Sequence, residues 1–368
     1  MKTGFLPRAG FQLLLDLLQR AGYRCIGPRV RDGAIVYDSV ERAEDFPRGV
    51  RDHQSGGKYR LEKVSGARIF GWANGPQALK PMLFAPEAVL WQARRTSPNN
   101  IEFSGEQSPS NKLAVIGVRA CDLAALALQD RHFLAHAAAD SCYAARRDAL
   151  FLIAVHCSDP ADTCFCASTG DGPQATAGFD IAMSELEAGF VVEAGSARGA
   201  EVMSGLSLGA VSASHVAEAA VQIASARERQ TRHLPSRNLR DLLFANLQHP
   251  RWAQVAERCL ACGNCTSVCP TCFCSADAEV TQLDGAMSAH VRRWDSCFTQ
   301  GHSYIHGLTV RSDTRARYRQ WLTHKLGSWY DQYGRSGCVG CGRCISWCPV
   351  GIDITEEATA ICAETGDG

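Results

Sequence analysis

Residues 259–274 read CLACGNCTSVCPTCFC, six cysteines in sixteen positions. A closed single-ion site takes four ligands, so this density asks for more than one ion. Cys259, Cys262, Cys265 and Cys269 stand at C-x2-C-x2-C-x3-C, with Pro270 next. Residues 338–349, CVGCGRCISWCP, repeat the pattern: Cys338, Cys341, Cys344, Cys348 and Pro349 fall at the same offsets.

This spacing is that of bacterial ferredoxins, where three cysteines of each run bind one cluster and the fourth binds the other. Crossing the fourth ligands gives one [4Fe-4S] cluster on Cys259, Cys262, Cys265 and Cys348. A second falls on Cys338, Cys341, Cys344 and Cys269. Three thiolates on one tight loop wrap a cluster, while the fourth arrives from distant chain. Gly263, Gly340 and Gly342 lack Cβ, which lets backbone N–H groups approach the sulfur atoms. The competing reading is a pair of zinc sites. Zinc ribbons favour separated C-x2-C pairs, whereas each triplet here is followed by x3-C-P, and iron–sulfur is preferred.

The 368 residues are long enough for two domains. Basic and acidic side chains balance at 38 each, so no global charge points to nucleic acid or an acidic partner. Eighteen cysteines without a secretory segment suggest a reducing compartment and metal ligation over disulfides. The opening MKTGFLPRAGFQLLLDLLQRAG is interrupted by Asp16 and ends its apolar run before Arg20, too short for a membrane span. The expectation is a cytoplasmic protein with no membrane span and no nucleic-acid partner.

The texture changes at ARERQTRHLPSRNLRD (226–241), a polar, basic stretch broken by Pro235. Residues 1–235 read as an α/β domain. They hold a first helix near Phe11 to Ala21, a hairpin turned at Arg31-Asp32-Gly33, and buried strands at 113–118 and 150–155. The first of these strands leads into a helix capped by Asp122, and two short strands and a helix near Ser214 to Arg227 follow. Residues 236–368 read as a largely helical ferredoxin-like domain whose spacer, residues 270–337, suits helices packed around two clusters.

Further cysteines follow the buried strands: Cys121 after the first, and Cys157, Cys164 and Cys166 after the second. If these strands are parallel neighbours, both loops leave one sheet edge and the four thiols are candidates for a third cluster. The alternative is that Cys121 and Cys157 are small core residues and Cys164 and Cys166 a flexible pair. Cys272, Cys274 and Cys297 form a trio one ligand short of a site. They either borrow Cys269 or pack reduced beside the clusters, and the second reading is preferred. Cys25 and Cys362 read as structural. His302 and His306 stand at near-helical spacing without evident carboxylates, and read as ordinary core or surface histidines. Arg311, Arg315, Arg317 and Arg319 read as a solvated helix face. No G-x-G-x-x-G, Walker loop, G-x-S-x-G or H-E-x-x-H is present.

The stretches GVRACDLAALALQDRHFL, AVHCSDPADTCFC, GFDIAMSELEAGFVVEAGS, CGNCTSVCPTCFC and WDSCF resemble the β subunit of cytoplasmic sulfhydrogenases, which are multi-subunit nickel–iron hydrogenases, and the similar A subunit of anaerobic sulfite reductase. The likeness extends upstream to GPRVRDGAIVYDSV, GGKYRLE and GPQALKPMLF, so it spans nearly the whole chain. The resemblance implies a helical module with two [4Fe-4S] clusters behind an α/β domain. It also implies a flavin-containing, NAD(P)-linked partner subunit and a catalytic partner of hydrogenase or sulfite reductase type. The eight paired cysteines match the family's cluster pattern, and Cys121, Cys157, Cys164 and Cys166 match positions it also has. Ala120 stands where the family often has Pro. The expected function is electron relay by a non-catalytic iron–sulfur subunit. The alternative is a subunit with its own thiol or sulfur redox chemistry at an extra cysteine-bound cluster.

Overall fold

The computed structural model describes residues 2–105, 111–135 and 139–363. Its strands in chain order are β1 (Thr3–Pro7), β2 (Arg24–Arg31), β3 (Ala34–Ser39), β4 (Val50–Ser55), β5 (Lys58–Lys63), β6 (Glu87–Ser97), β7 (Asn100–Gly105), β8 (Leu113–Val118), β9 (Leu150–Val155), β10 (Ile181–Glu185), β11 (Gly189–Ala194), β12 (Ser275–Thr281) and β13 (Met287–Trp294). A two-residue pair at 304–305 and 308–309 closes a tight turn.

Seven strands form one sheet in the order β1-β11-β10-β9-β8-β2-β3. Its centre is parallel, with β9 between β8 and β10. Every residue of β9, LFLIAV, is buried, as a strand covered on both faces must be. The helix Phe11–Arg20 lays Phe11, Leu14, Leu15 and Leu18 against one face, where Phe70, Phe151 and Phe190 complete the core. At the β2–β3 turn Asp32 and Gly33 take φ of 51° and 74°, the left-handed pair that a two-residue hairpin requires.

The segment beyond the linker is not simply helical. β12 and β13 form a hairpin, and β13 pairs with β6, giving a four-stranded antiparallel sheet β12-β13-β6-β7 drawn from both sides of residue 235. The alternation in SADAEVT and SAHVRRW is the strand signal. Its exposed face carries few apolar residues, so it reads weakly in sequence. The helices of this half enclose Leu243, Trp252, Val255, Tyr318, Trp321, Leu322 and Leu326 in a separate core, against which Cys259, Cys265, Cys344 and Cys348 pack. Among the described residues no helix is long and apolar enough to cross a membrane.

Candidate metal centre

Each C-x2-C-x2-C run is shaped by left-handed backbone. Ala261 and Gly263 take φ of 50° and 76°, and Gly340 and Gly342 take 64° and 74°, followed in each case by a short helical turn. These turns point amides at sulfur: Ala261 N–H lies 3.4 Å from Cys259 Sγ, Gly340 N–H 3.5 Å from Cys338 Sγ, and Ile352 N–H 3.3 Å from Cys348 Sγ. Amides so placed favour a charged sulfur.

The crossed assignment expected from the spacing can be set beside the positions of the thiols. Cys259, Cys262, Cys265, Cys348 and also Cys344 line one cavity, closed by Phe298, Tyr318, Trp321 and Ile352. Cys344 feels the charges of Cys338, Cys341 and Cys269 most strongly among its neighbours. Among the described residues no three His, Cys, Asp or Glu side chains are drawn together as one metal ion needs. Cys338 and Cys341 are buried, and of the eight paired cysteines only Cys262 is exposed. Burial pushes the Cys338 thiol up to about 12, so thiolates here need cationic company. Four thiols around a dry, amide-lined space fit a [4Fe-4S] cluster in donor chemistry and surroundings.

Part of that cationic company was not readable from the sequence. Lys325, 4% exposed, donates to Thr271 Oγ1 at 2.9 Å. Burial alone would strip its proton, yet the charges of Cys269, Cys272 and Cys338 hold it well above the usual lysine range. Lys80, 3% exposed, donates to the carbonyls of Thr266, Ser267 and Cys272 and lies 3.8 Å over the Trp294 ring. Neither lysine belongs to a motif. Lys80 comes from a four-residue helix 179 positions before the first cluster cysteine, and only folding brings it there.

The α/β half grips the second loop directly. The Gly340 carbonyl faces the 163–166 segment: Phe165 N–H donates to Gly340 O at 2.8 Å, and a Cβ on Gly340 would meet Phe165 backbone at 2.5 Å. Asn74 Nδ2 donates to Cys341 O at 2.8 Å. Arg343 is buried and bidentate to Asp122, at 2.6 and 3.0 Å, and it also donates to Gly75 O. Asp122 is therefore not the helix cap expected of it. Arg119 takes the cap position of helix Ala120–Leu134 without a side-chain cap, while Asp122 turns inward to pair with Arg343. The pairing partner lies more than two hundred residues away, which explains the missed assignment.

β8 and β9 are parallel neighbours, so the loops bearing Cys121 and Cys157 do leave one sheet edge. Cys121 packs with Ala125, Leu128, Cys166, Trp329, Val339 and Cys341 at the junction of the two halves. Cys166 donates to Gln230 Oε1 at 3.6 Å, and Cys164 faces Cys341 O at 3.9 Å. Cys157 feels the Arg119 guanidinium, whose own donors reach the carbonyls of Phe70, Trp72 and Ala73. Cys25 and Cys362 are buried in the two cores.

Two other readings change. His302 is not isolated from carboxylates: its Nδ1 lies 2.5 Å from Asp295 Oδ2. Only the loop after β13, which brings residues 295 and 302 together, creates that contact. The arginines of 311–319 are not one solvated face either. Arg317 is buried and caps the carbonyls of Phe298, Arg311 and Ser312, and Arg319 reaches Leu247 O. His306 is exposed at the tight turn.

Comparison with known proteins follows the same outline. Residues 258–352 match the family described as 4Fe-4S dicluster domain. The chain is 29% identical over 302 residues to sulfhydrogenase 2 subunit beta of Pyrococcus furiosus, covering 80% of this chain and 86% of that protein. No solved structure matches it. The resemblance to a sulfhydrogenase β subunit read from the sequence is borne out, with the dicluster region at the C-terminal end of a mixed α/β chain.

Proposed function

We propose that this chain is the iron–sulfur subunit of a multi-subunit oxidoreductase, relaying single electrons between a flavin- and nicotinamide-handling partner and a catalytic partner of hydrogenase or sulfite reductase type. The observation that supports this reading is the nearness of the two cysteine runs: Cys348 lines the cavity of Cys259, Cys262 and Cys265, and Cys344 feels the charges of Cys338, Cys341 and Cys269, in keeping with crossed quartets on Cys259, Cys262, Cys265 and Cys348 and on Cys338, Cys341, Cys344 and Cys269. The similarity to a hydrogenase β subunit supports the class of partner.

When bound, a [4Fe-4S] cluster takes up and gives back one electron at a time. The residues around each quartet set how readily that happens. Lys325 and the amides of 261, 340 and 352 lie where negative charge accumulates on sulfur. Ile345, Phe298, Tyr318 and Trp321 keep water out, which strengthens every such interaction. Cys262, flanked by the exposed side chains of Leu260 and Val350, marks the face where the first quartet comes nearest to solvent and to a docked partner.

The test is anaerobic purification followed by iron and acid-labile sulfide analysis of wild type, Cys341→Ser and Cys348→Ser. Each substitution is expected to remove a centre of about four irons and to abolish electron transfer between partner subunits, with each partner's isolated half-reaction intact. Colourless, iron-free wild type would overturn the reading.

A further inference from the structure

Several buried aromatic side chains find partners for their polar ends. Trp252 Nε1 donates to Asn246 O at 2.8 Å, Trp294 Nε1 to Phe84 O at 3.1 Å, Tyr37 Oη to Gly117 O at 2.9 Å and Tyr143 Oη to Asp130 at 2.7 Å. That is the rule for a donor taken out of water. Tyr318 and Trp321 break it. They are 2% and 3% exposed, and neither the Tyr318 hydroxyl nor the Trp321 N–H has a hydrogen-bond partner among the described residues.

Both side chains line the cavity of Cys259, Cys262, Cys265 and Cys348, and they belong to the apolar cluster against which Cys259, Cys265, Cys344 and Cys348 pack. Three positions apart on the helix Thr314–Thr323, they leave it on one face, with their rings 5.4 Å apart. The helix has little freedom to turn them elsewhere. Asp313 caps its first turn through Ala316 N–H, Arg317 ties it to the carbonyls of Phe298, Arg311 and Ser312, and Arg319 ties it to Leu247 O. Phe298, itself in the cavity wall, meets the Tyr318 ring edge-on at 6.3 Å.

The other neighbours do not satisfy these donors. The charge of Glu357 reaches Tyr318, but its oxygens already accept from Arg251 and Arg258 and make no hydrogen bond to the hydroxyl. Trp321 also borders the cavity lined by Cys272, Cys274 and Cys297, so its indole stands in a wall between two groups of thiols. A thiol is a weak acceptor, whereas sulfur that carries negative charge is a good one.

We propose that the Tyr318 hydroxyl and the Trp321 N–H donate hydrogen bonds to the sulfur of a cluster held by Cys259, Cys262, Cys265 and Cys348, and that they set the potential of that quartet. The proposal rests on the reading that this module carries iron–sulfur clusters. Each electron taken up adds negative charge to sulfur, so a donor aimed there favours the reduced form and raises the midpoint.

The test uses the full-length chain purified anaerobically, as wild type, Tyr318→Phe and Trp321→Phe, with iron and sulfide content, an EPR-monitored redox titration and a thermal melt of each. Tyr318→Phe removes one oxygen and keeps the ring. It is expected to retain wild-type iron while the reduced-to-oxidised ratio of one centre, read at a fixed potential, falls about tenfold, the weight of one hydrogen bond to a charged acceptor. Trp321→Phe is expected to move the same centre in the same direction. An unmoved midpoint in Tyr318→Phe with full iron would overturn the proposal, and a lowered melting temperature beside that unmoved midpoint would assign the hydroxyl to Glu357. Should Tyr318→Phe not retain iron, Trp321→Phe decides: with full iron, a lowered midpoint upholds the proposal and an unmoved one overturns it. Iron lost from both variants would make the pair a support of the fold and overturn it as well. Iron-free wild type would instead sink the relay reading itself.

Discussion

Lys325 shows how a residue outside any motif sets the chemistry of one that the motif names. Its ammonium group is buried beside Cys269, Cys272 and Cys338, and a unit charge roughly 7 Å away at an effective dielectric near 20 is worth about 2 kcal/mol. For a one-electron couple that is on the order of 100 mV. Lys325→Met, close in length and without charge, is expected to lower the midpoint of the centre proposed on Cys338, Cys341, Cys344 and Cys269 by this order, with iron content preserved; a redox titration reads it. Arg343 and Asp122 make the complementary case, an ion pair with both side chains 1% exposed. Asp122→Asn strands the guanidinium charge and is expected to cost about 3–5 kcal/mol, whereas Asp122→Asn combined with Arg343→Met should recover much of it. Denaturant titration of the three variants measures the difference. The dicluster region was legible because cysteine spacing is itself the chemical constraint. Lys325, Lys80, Asp122 and Asn74 were not, because each acts through a partner that only the fold brings near.

At the level of elements, the tight loop around Gly340 has no room for any side chain. Its φ of 64° disfavours L residues, and a Cβ would press on the Phe165 carbonyl and within 2.6 Å of Cys166 Cα. Gly340→Ala is therefore expected to loosen the 338–344 loop from the α/β half and to reduce bound iron, whereas Gly285→Ala, at a hairpin turn with open space around it, should cost only its left-handed strain of about 1 kcal/mol. The helix Ser141–Asp148 gives a pH-dependent counterpart. Burial raises the carboxyl of its cap, Asp140, but the Tyr143 N–H at 2.8 Å and Arg292 at 2.6 Å outweigh it, and the group is held below the usual carboxylate range. A depressed carboxyl stabilises the fold above the ordinary carboxylate value and loses that contribution as pH falls through its lowered one. Asp140→Asn is expected to remove roughly 1 kcal/mol at neutral pH and to flatten the acid limb of stability against pH. The strands at 113–118 and 150–155 were legible as continuous apolar runs, and the first helix by its period. The β12–β13 hairpin was hidden because β12 is almost wholly exposed, and the apolar half of its alternation is only Ala276, Ala278 and Val280.

The whole molecule behaves as two halves that need each other, although the sequence marks a boundary near Pro235. The linker is polar, with Ser236 and Arg237 exposed, which is why it reads as a division. Across it, however, β13 pairs with β6, Lys80 holds the carbonyls of 266, 267 and 272, Arg343 reaches Asp122, and the Tyr59 ring stacks on Trp347 at 5.1 Å. A fragment of residues 236–368 alone would expose one edge of β13, leave Arg343 without its counter-charge and uncover Gly340 and Gly342. It is expected to aggregate and to hold little iron. Cutting the chain at the exposed linker removes none of these contacts, so residues 1–235 and 236–368 made together are expected to co-purify as one brown complex with the iron content of the intact chain. The measurement is iron per complex after affinity capture of either piece. A C-terminal fragment that by itself folds and takes up its full iron would show that the α/β half is only a companion of the metal module, whereas the contacts at 80, 122 and 343 make it part of the module's wall.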